Sequence, residues 1–204
     1  MGNVAVASAA GTRLAAIGAG AQLAGLLEQT QSVTRQAQAL VRGRSPILLS
    51  VRCAPESWSV AECFAHLAQT SCAFLPAIFQ ALAEAPEIGS GRRLRTGTLA
   101  WWFVRNLEPP YRIRLKVLKQ LAPQHREFEG AWQAFLDSQS QLTTAIHSAA
   151  GLAIDKVRVK SPVYARFSYN VYGALCMLVA HERRHLWQVQ QILEELERRP
   201  IASA

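Results

Sequence analysis

The sequence predicts an all-α protein, a four-helix bundle with a long crossover between the second and third long helices. Three observations lead there. Apolar residues recur at three-to-four spacing in four separate stretches of the 204 residues. Helix starts and stops bound those stretches. The connection 86–125 is instead broken by Gly89, Gly91, Pro109, Pro110 and Pro123.

Residues 1–12 read as a flexible tail, small and apolar without periodicity. Residues 13–200 read as one domain, since this length suits one sizeable domain better than two. From Arg13 to Val41, the residues Leu14, Ile17, Ala21, Ala24, Leu27, Val33, Ala37 and Leu40 keep helical spacing. Gly18, Gly20 and Gly25 weaken the front, so firm helix is expected from near Gln22. Gly43 and Pro46 mark its end, and a linker is expected to Ser57.

The second helix starts on a capping box, with Ser59 as N-cap and Glu62 at N3. Its core stripe is Val60, Phe64, Leu67, Ser71, Phe74, Ile78 and Leu82. His66 stands off that stripe, on a face shared with the small residues Thr70, Ala73 and Ala77, which leave room for a pocket. Within 86–125, LAWWFVRNL suggests a short helix. A third long helix is expected from about Arg126 to Ala150, with Phe128, Trp132, Phe135, Leu142, Ile146 and Ala149 inward and Gly151 as its stop. VRVKSPVYARFS reads as extended before Pro162. The fourth helix follows from about Tyr169 to Arg199, before Pro200.

No apolar run approaches the ~18 residues of a membrane span. The opening MGNVAVASAAG lacks the basic start and apolar stretch of a secretory signal, so a cytoplasmic protein is expected. Cys53, Cys63, Cys72 and Cys176 form no C-x-x-C pair and read as reduced thiols. Cys63, three residues before His66, could reach the same cavity, but buried free Cys is commonly a small core residue. The formal charge of +8 is uneven. Arg92, Arg93, Arg95, Arg105, Arg112, Arg114, Lys116 and Lys119 form a basic strip whose only acid is Glu108. Such a strip suits nucleic acid, anionic lipid or an acidic substrate, or is a solvated loop.

On the last helix the inward row reads Ala174, Leu178, His181, His185, Ile192 and Leu196. Histidines four residues apart share a helix face, about 40° apart in azimuth. Buried imidazoles need partners for their nitrogens, and a divalent metal satisfies two at once. With His66 from the second helix, two helices could supply a three-histidine set with positions left for water or substrate. HERRH also matches the H-E-x-x-H of zinc peptidases, with Glu182 in the general-base place. That reading is disfavoured. A third ligand would have to be Glu194, Glu195 or Glu197, and no sheet to bind a peptide strand is expected.

WSVAECFAHL near residue 60, SPVYARF near 165 and AHERRHLWQVQQIL toward the end resemble the DinB-like (DinB/YfiT) superfamily of metal-dependent four-helix proteins. The similarity runs from about Gln22 to Leu196, with the long basic segment from Glu87 to Gln124 departing from it. The resemblance implies a divalent metal on His66, His181 and His185, and it implies no DNA binding. Three imidazoles with open positions suit zinc, nickel, iron or manganese.

An enzyme is the first functional expectation, a metal-dependent transferase acting with a small thiol or a hydrolase; some members of the resembled family are thiol-dependent. The alternatives are a non-catalytic metal-binding or stress-response module and a basic surface binder of nucleic acid or membrane. Nucleic acid is not expected, because no helix-turn-helix or aromatic RNA platform is visible. Expected partners are a second copy in a homodimer and a small anionic or thiol ligand. Glu62 is explained as the capping-box residue, Gln188 can touch the pocket, and His125 and His147 read as surface residues. Trp58 and Trp187 read as core anchors.

Overall fold

The structure, a computed structural model, describes residues 18–89, 91–109, 111, 122–123, 127–162, 164 and 166–198. The expected tail, the first helix before Gly18, His125, and Arg112, Arg114, Lys116 and Lys119 of the basic strip lie outside them. In chain order the elements are α1 (Ala19–Val41), α2 (Pro46–Ser50), α3 (Val60–Ala83), α4 (Thr98–Leu107), α5 (Phe128–Ser148), β1 (Arg158–Lys160), β2 (Ser168–Asn170) and α6 (Val171–Arg198).

The four long helices are those the periodicity predicts. α3 packs along α5 and α6, and α1 closes against the same two helices, so α1 and α3 stand diagonally. The stripe Val60, Phe64, Leu67, Ser71, Phe74, Ile78 and Leu82 is buried throughout. Phe64 meets Trp132 edge-on at 5.0 Å and Phe135 at 5.0 Å, joining α3 to α5. Burying each such ring contributes about 1.5–3 kcal/mol. The ends are chemical. Ser59 accepts from the Glu62 N–H while the Ser59 N–H donates to the Glu62 carboxylate, which completes the capping box. Gly43 (φ +72°) and Gly151 (φ +77°) take the left-handed conformation just beyond α1 and α5, where a side chain would be strained.

One stretch differs from expectation and another goes beyond it. The linker after Gly43 contains α2, with Pro46 in the first turn, where a missing N–H costs nothing. VRVKSPVYARFS is extended before Pro162 as expected, and its strand Arg158–Lys160 pairs antiparallel with Ser168–Asn170, Arg158 opposite Asn170, Val159 opposite Tyr169 and Lys160 opposite Ser168, so the last helix starts at Val171. Val159 and Tyr169 point into the bundle and Arg158 and Lys160 outward, the period-two alternation of a strand.

The crossover is tied down at both ends of its described part. Ala153 N–H donates to Pro86 O at 2.7 Å and Ile88 N–H to Gly151 O at 2.8 Å, fixing its start to the α5–β1 connection. α4 then lies on α6. The two approach closely because residue 173 is glycine: a Cβ there would lie 2.6 Å from Ala100 Cβ and 2.9 Å from Asn170 Oδ1. Asn170 caps the start of α6, accepting from Gly173 N–H at 2.7 Å, and donates to Arg95 O at 2.8 Å. Farther on, Glu108 pairs with Arg183, and Tyr111 packs on Trp187 with ring centroids 4.6 Å apart.

Candidate metal centre

The α3–α6 contact brings the three predicted histidines together. One nitrogen from each of His66, His181 and His185 lies within 4.8 Å of the others. Nε2 of His66 and Nε2 of His181 are 3.2 Å apart. His66 and His185 are 3% and 6% exposed, and His181 is partly open. His66 reaches the site although it is off the apolar stripe, because α3 is buried on nearly every side of its first three turns.

Electrostatics keep the two α6 rings neutral. Burial, then repulsion from His66 and from Arg184, holds His181 down at about 3. Burial also holds His185 well below the ordinary histidine value, helped by His181, His66 and Arg184, with a contact from Gln188 opposing it. Neutral imidazole is the form that ligates metal. The donor set passes two tests of fit. An ion about 2.1 Å from both Nε2 atoms would subtend about 100° at their 3.2 Å separation, within the range of tetrahedral and octahedral sites. His185 Nδ1 is buried with no hydrogen-bond partner among the described residues, a condition costing about 1–3 kcal/mol.

Trp58 forms one wall of the cluster. Its ring centroid is 4.9 Å from that of His66 and 5.8 Å from that of His185, to which it is nearly parallel at 14°. It is thus a partly buried residue of the site as well as a packing residue. Its place just before the N-cap Ser59 is the sequence signal for it, since an apolar residue there folds back on the first helical turns. Arg52 holds this loop. Its guanidinium pairs with the buried Glu62 carboxylate and donates to Pro55 O at 3.0 Å. Burial pushes the Glu62 pKa up, but the bonds from Arg52 and Ser59 outweigh it and leave it below the usual value. Glu62 is therefore the capping residue the sequence predicts, and it carries in addition an ion pair with Arg52, ten residues before it.

The remaining candidates fall outside the cluster. Glu182 turns toward α5, where its Oε1 accepts from Gln139 Nε2 at 2.6 Å, and Thr34 of α1 donates to Gln139 Oε1 at 3.2 Å. Burial raises the Glu182 pKa to about 7. It is a rung across the bundle interior, which removes the general base that a zinc-peptidase reading requires. Cys63 is a fully buried thiol whose pKa burial pushes up, a core residue. His147 is exposed, as expected. Trp187 differs from expectation: it is 44% exposed and packs on Tyr111 instead of entering the core. Arg92, Arg93 and Arg95 lie with Lys156 around a separate pocket, whereas among the described residues the later crossover, through Glu108 and Tyr111, reaches α6 near the histidines.

A four-helix bundle with three histidines gathered between two of its helices defines the class of protein. The chain belongs to the DinB superfamily, whose family model matches residues 26–189. No curated protein matches it. Among solved structures it is similar to YfiT from Bacillus subtilis, described as a probable metal-dependent hydrolase with an unusual four-helix bundle topology. That match has a TM-score of 0.56 and 14% identity over 86% of this chain and 88% of that one, a likeness of fold.

Proposed function

We propose that the chain binds a divalent metal ion through His66, His181 and His185 and is a metal-dependent enzyme of the hydrolase type. The observation that carries this is the cluster itself: three imidazoles, His181 and His185 held neutral and His66 buried beside them, offer nitrogens within 4.8 Å of one another. The description of YfiT as a probable metal-dependent hydrolase supports it. A cation held by neutral ligands keeps its full charge and lowers the pKa of a water or thiol that reaches it. The chain's own residues supply the rest. α3 and α6 set the ring positions, Trp58 packs on His66 and His185, and the Arg52–Glu62 pair fastens the loop that carries Trp58. Partial exposure of His181 leaves the approach for a small substrate. Arg184, close enough to disfavour protonation of both α6 histidines, supports an anionic or thiol-bearing one.

The test is reconstitution with zinc, nickel, iron or manganese followed by dialysis. Wild type should retain metal, and His66→Ala, His181→Ala and His185→Ala should each lose most of it while remaining helical by circular dichroism. Wild type retaining none above background overturns the reading. Ester and amide hydrolysis that arises on loading and vanishes in the variants identifies the hydrolase; activity only with an added thiol identifies a transferase instead.

A homodimer and a cytoplasmic location complete the proposal. Trp101 and Trp102 stand 54% and 44% exposed on α4, an apolar surface suited to a second copy. Light scattering should give about twice the chain mass, and a clean monomer at micromolar concentration would refute pairing. All four cysteines are free, which agrees with a reducing compartment, and no described helix is long and apolar enough to cross a membrane.

A further inference from the structure

A pocket of about 360 Å³ opens where the crossover begins, lined by Arg92, Arg93, Arg95 and Lys156. It belongs to the end of the bundle where α3 and α5 finish and α1 and α6 start, because Arg92 O accepts from Ala19 N–H and Arg92 pairs with Asp155 after α5. The histidines are elsewhere: about 25 Å of α3 separates His66 from Ala83, and about 15 Å of α6 separates His181 from Val171.

The pocket is organised by one carboxylate. Arg92 Nη2 donates to both oxygens of Asp155 at 2.8 and 2.7 Å, and Arg95 N–H donates to the same group at 3.2 Å. Lys156 follows Asp155 in the chain and is anchored by its own N–H on Ala153 O at 2.8 Å. The Asp155 side chain is 3% exposed, so its charge is spent beneath the pocket floor. Four cations against one carboxylate leave an excess of three positive charges facing the opening. Arg93, Arg95 and Lys156 have no acidic side chain paired to them among the described residues. Arg92 Nη1 is buried and lacks any hydrogen-bond partner among them. A guanidinium presents its donors in a planar fork that matches phosphate oxygens, so the partly exposed Arg92 fork beside three exposed cations without an acidic partner has an oxyanion as its natural complement. The volume, at the low end for small-molecule sites, exceeds the needs of a single small anion.

We propose that this pocket is a second binding site, for a small ligand carrying two or more phosphate-type charges, such as a diphosphate or a doubly phosphorylated metabolite. Neither the histidines nor their metal take part in it. Pyrophosphate is the probe, titrated into the full chain by calorimetry in buffer of about 0.1 M salt, where longer-range attraction to the basic surface is screened. The site should bind it saturably, at one equivalent per chain. Arg93→Ser with Lys156→Ser leaves the Arg92–Asp155 pair in place and should weaken binding at least about tenfold, with the melting temperature near wild type. Arg35→Ser with Arg42→Ser removes the same charge from exposed positions of α1 and its end and should leave the affinity within about twofold. No saturable binding below about 1 mM pyrophosphate overturns the proposal. Equal loss in both double variants reduces the effect to net charge and overturns it as well. Citrate binding as tightly as pyrophosphate overturns the assignment to phosphate chemistry.

Discussion

Replacing Glu62 by Ala should be among the most destabilising single changes on α3, because its fully buried carboxylate gathers several hydrogen bonds. Its carboxylate takes the Ser59 N–H at 2.9 Å, the Arg52 Nε at 2.8 Å and a second, shorter bond from Arg52 Nη2. Breaking a buried ion pair costs about 3–5 kcal/mol when the surviving charge stays buried. Arg52 is 39% exposed and regains water, so about 2–3 kcal/mol is the better figure here. Loss of the reciprocal capping bond adds about 1 kcal/mol. Glu62→Ala should therefore cost about 3–4 kcal/mol, and Glu62→Gln, which keeps an acceptor for Ser59, about 1–2 kcal/mol. With a urea slope near 2 kcal/mol/M, the Ala midpoint falls by about 1.5–2 M. The pair also has a pH dependence. The folded pKa lies below the unfolded value near 4.5, so its stabilisation is present above that value and is lost as pH falls through the folded pKa. Wild type and Glu62→Gln should thus converge in stability as acid is added. Urea unfolding followed by circular dichroism at pH 7 and in acid checks both. An Ala midpoint within about 0.5 M of wild type would refute the reasoning.

Trp58→Ala should cost about 2 kcal/mol, less than a fully buried Trp, and should lower metal affinity at least about tenfold by freeing the rings of His66 and His185; melting curves and metal titration measure the two. Gln139→Ala removes the Glu182 hydrogen bond inside the bundle and should cost about 2–3 kcal/mol in urea unfolding. The double change Gln139→Leu with Glu182→Met should recover much of that loss, because no buried polar group is then left without its partner. Gly173→Ala puts a Cβ against Thr96 O and 2.6 Å from Ala100 Cβ, so α4 must shift; a loss of about 1–3 kcal/mol and earlier proteolysis of the crossover are expected. A Gly173→Ala protein as stable as wild type would show that the α4–α6 contact yields easily.

Local chemistry made much of this architecture readable in the sequence. Ser59 and Glu62 lie three apart, and the capping box depends on nothing farther away. The apolar stripes of α3 and α6 follow helical periodicity, and His181 and His185 share a face by geometry alone. His66 was legible as a residue in a roomy place, but its near-complete burial was not, because that depends on α5 and α6 enclosing α3 from two sides. Long-range pairings stayed hidden for the same reason. Arg52 finds Glu62, Gln139 finds Glu182, and Arg92 finds Asp155 across gaps that no periodicity spans. The hairpin β1–β2 and the short α2 are too brief for a periodic signal. Trp187 shows the opposite limit: a large apolar side chain on a helix suggested burial, whereas the crossover covers that face with Tyr111 and leaves the indole 44% exposed.

The central claim is that His66, His181 and His185 hold a metal ion. Its most direct test is elemental analysis of the protein purified without added metal or a polyhistidine tag, alongside the His181→Ala variant prepared identically. The account predicts about one equivalent of zinc, nickel, iron or manganese per wild-type chain and almost none in the variant. Wild-type protein free of all four, or a variant that retains the same metal content, would contradict it.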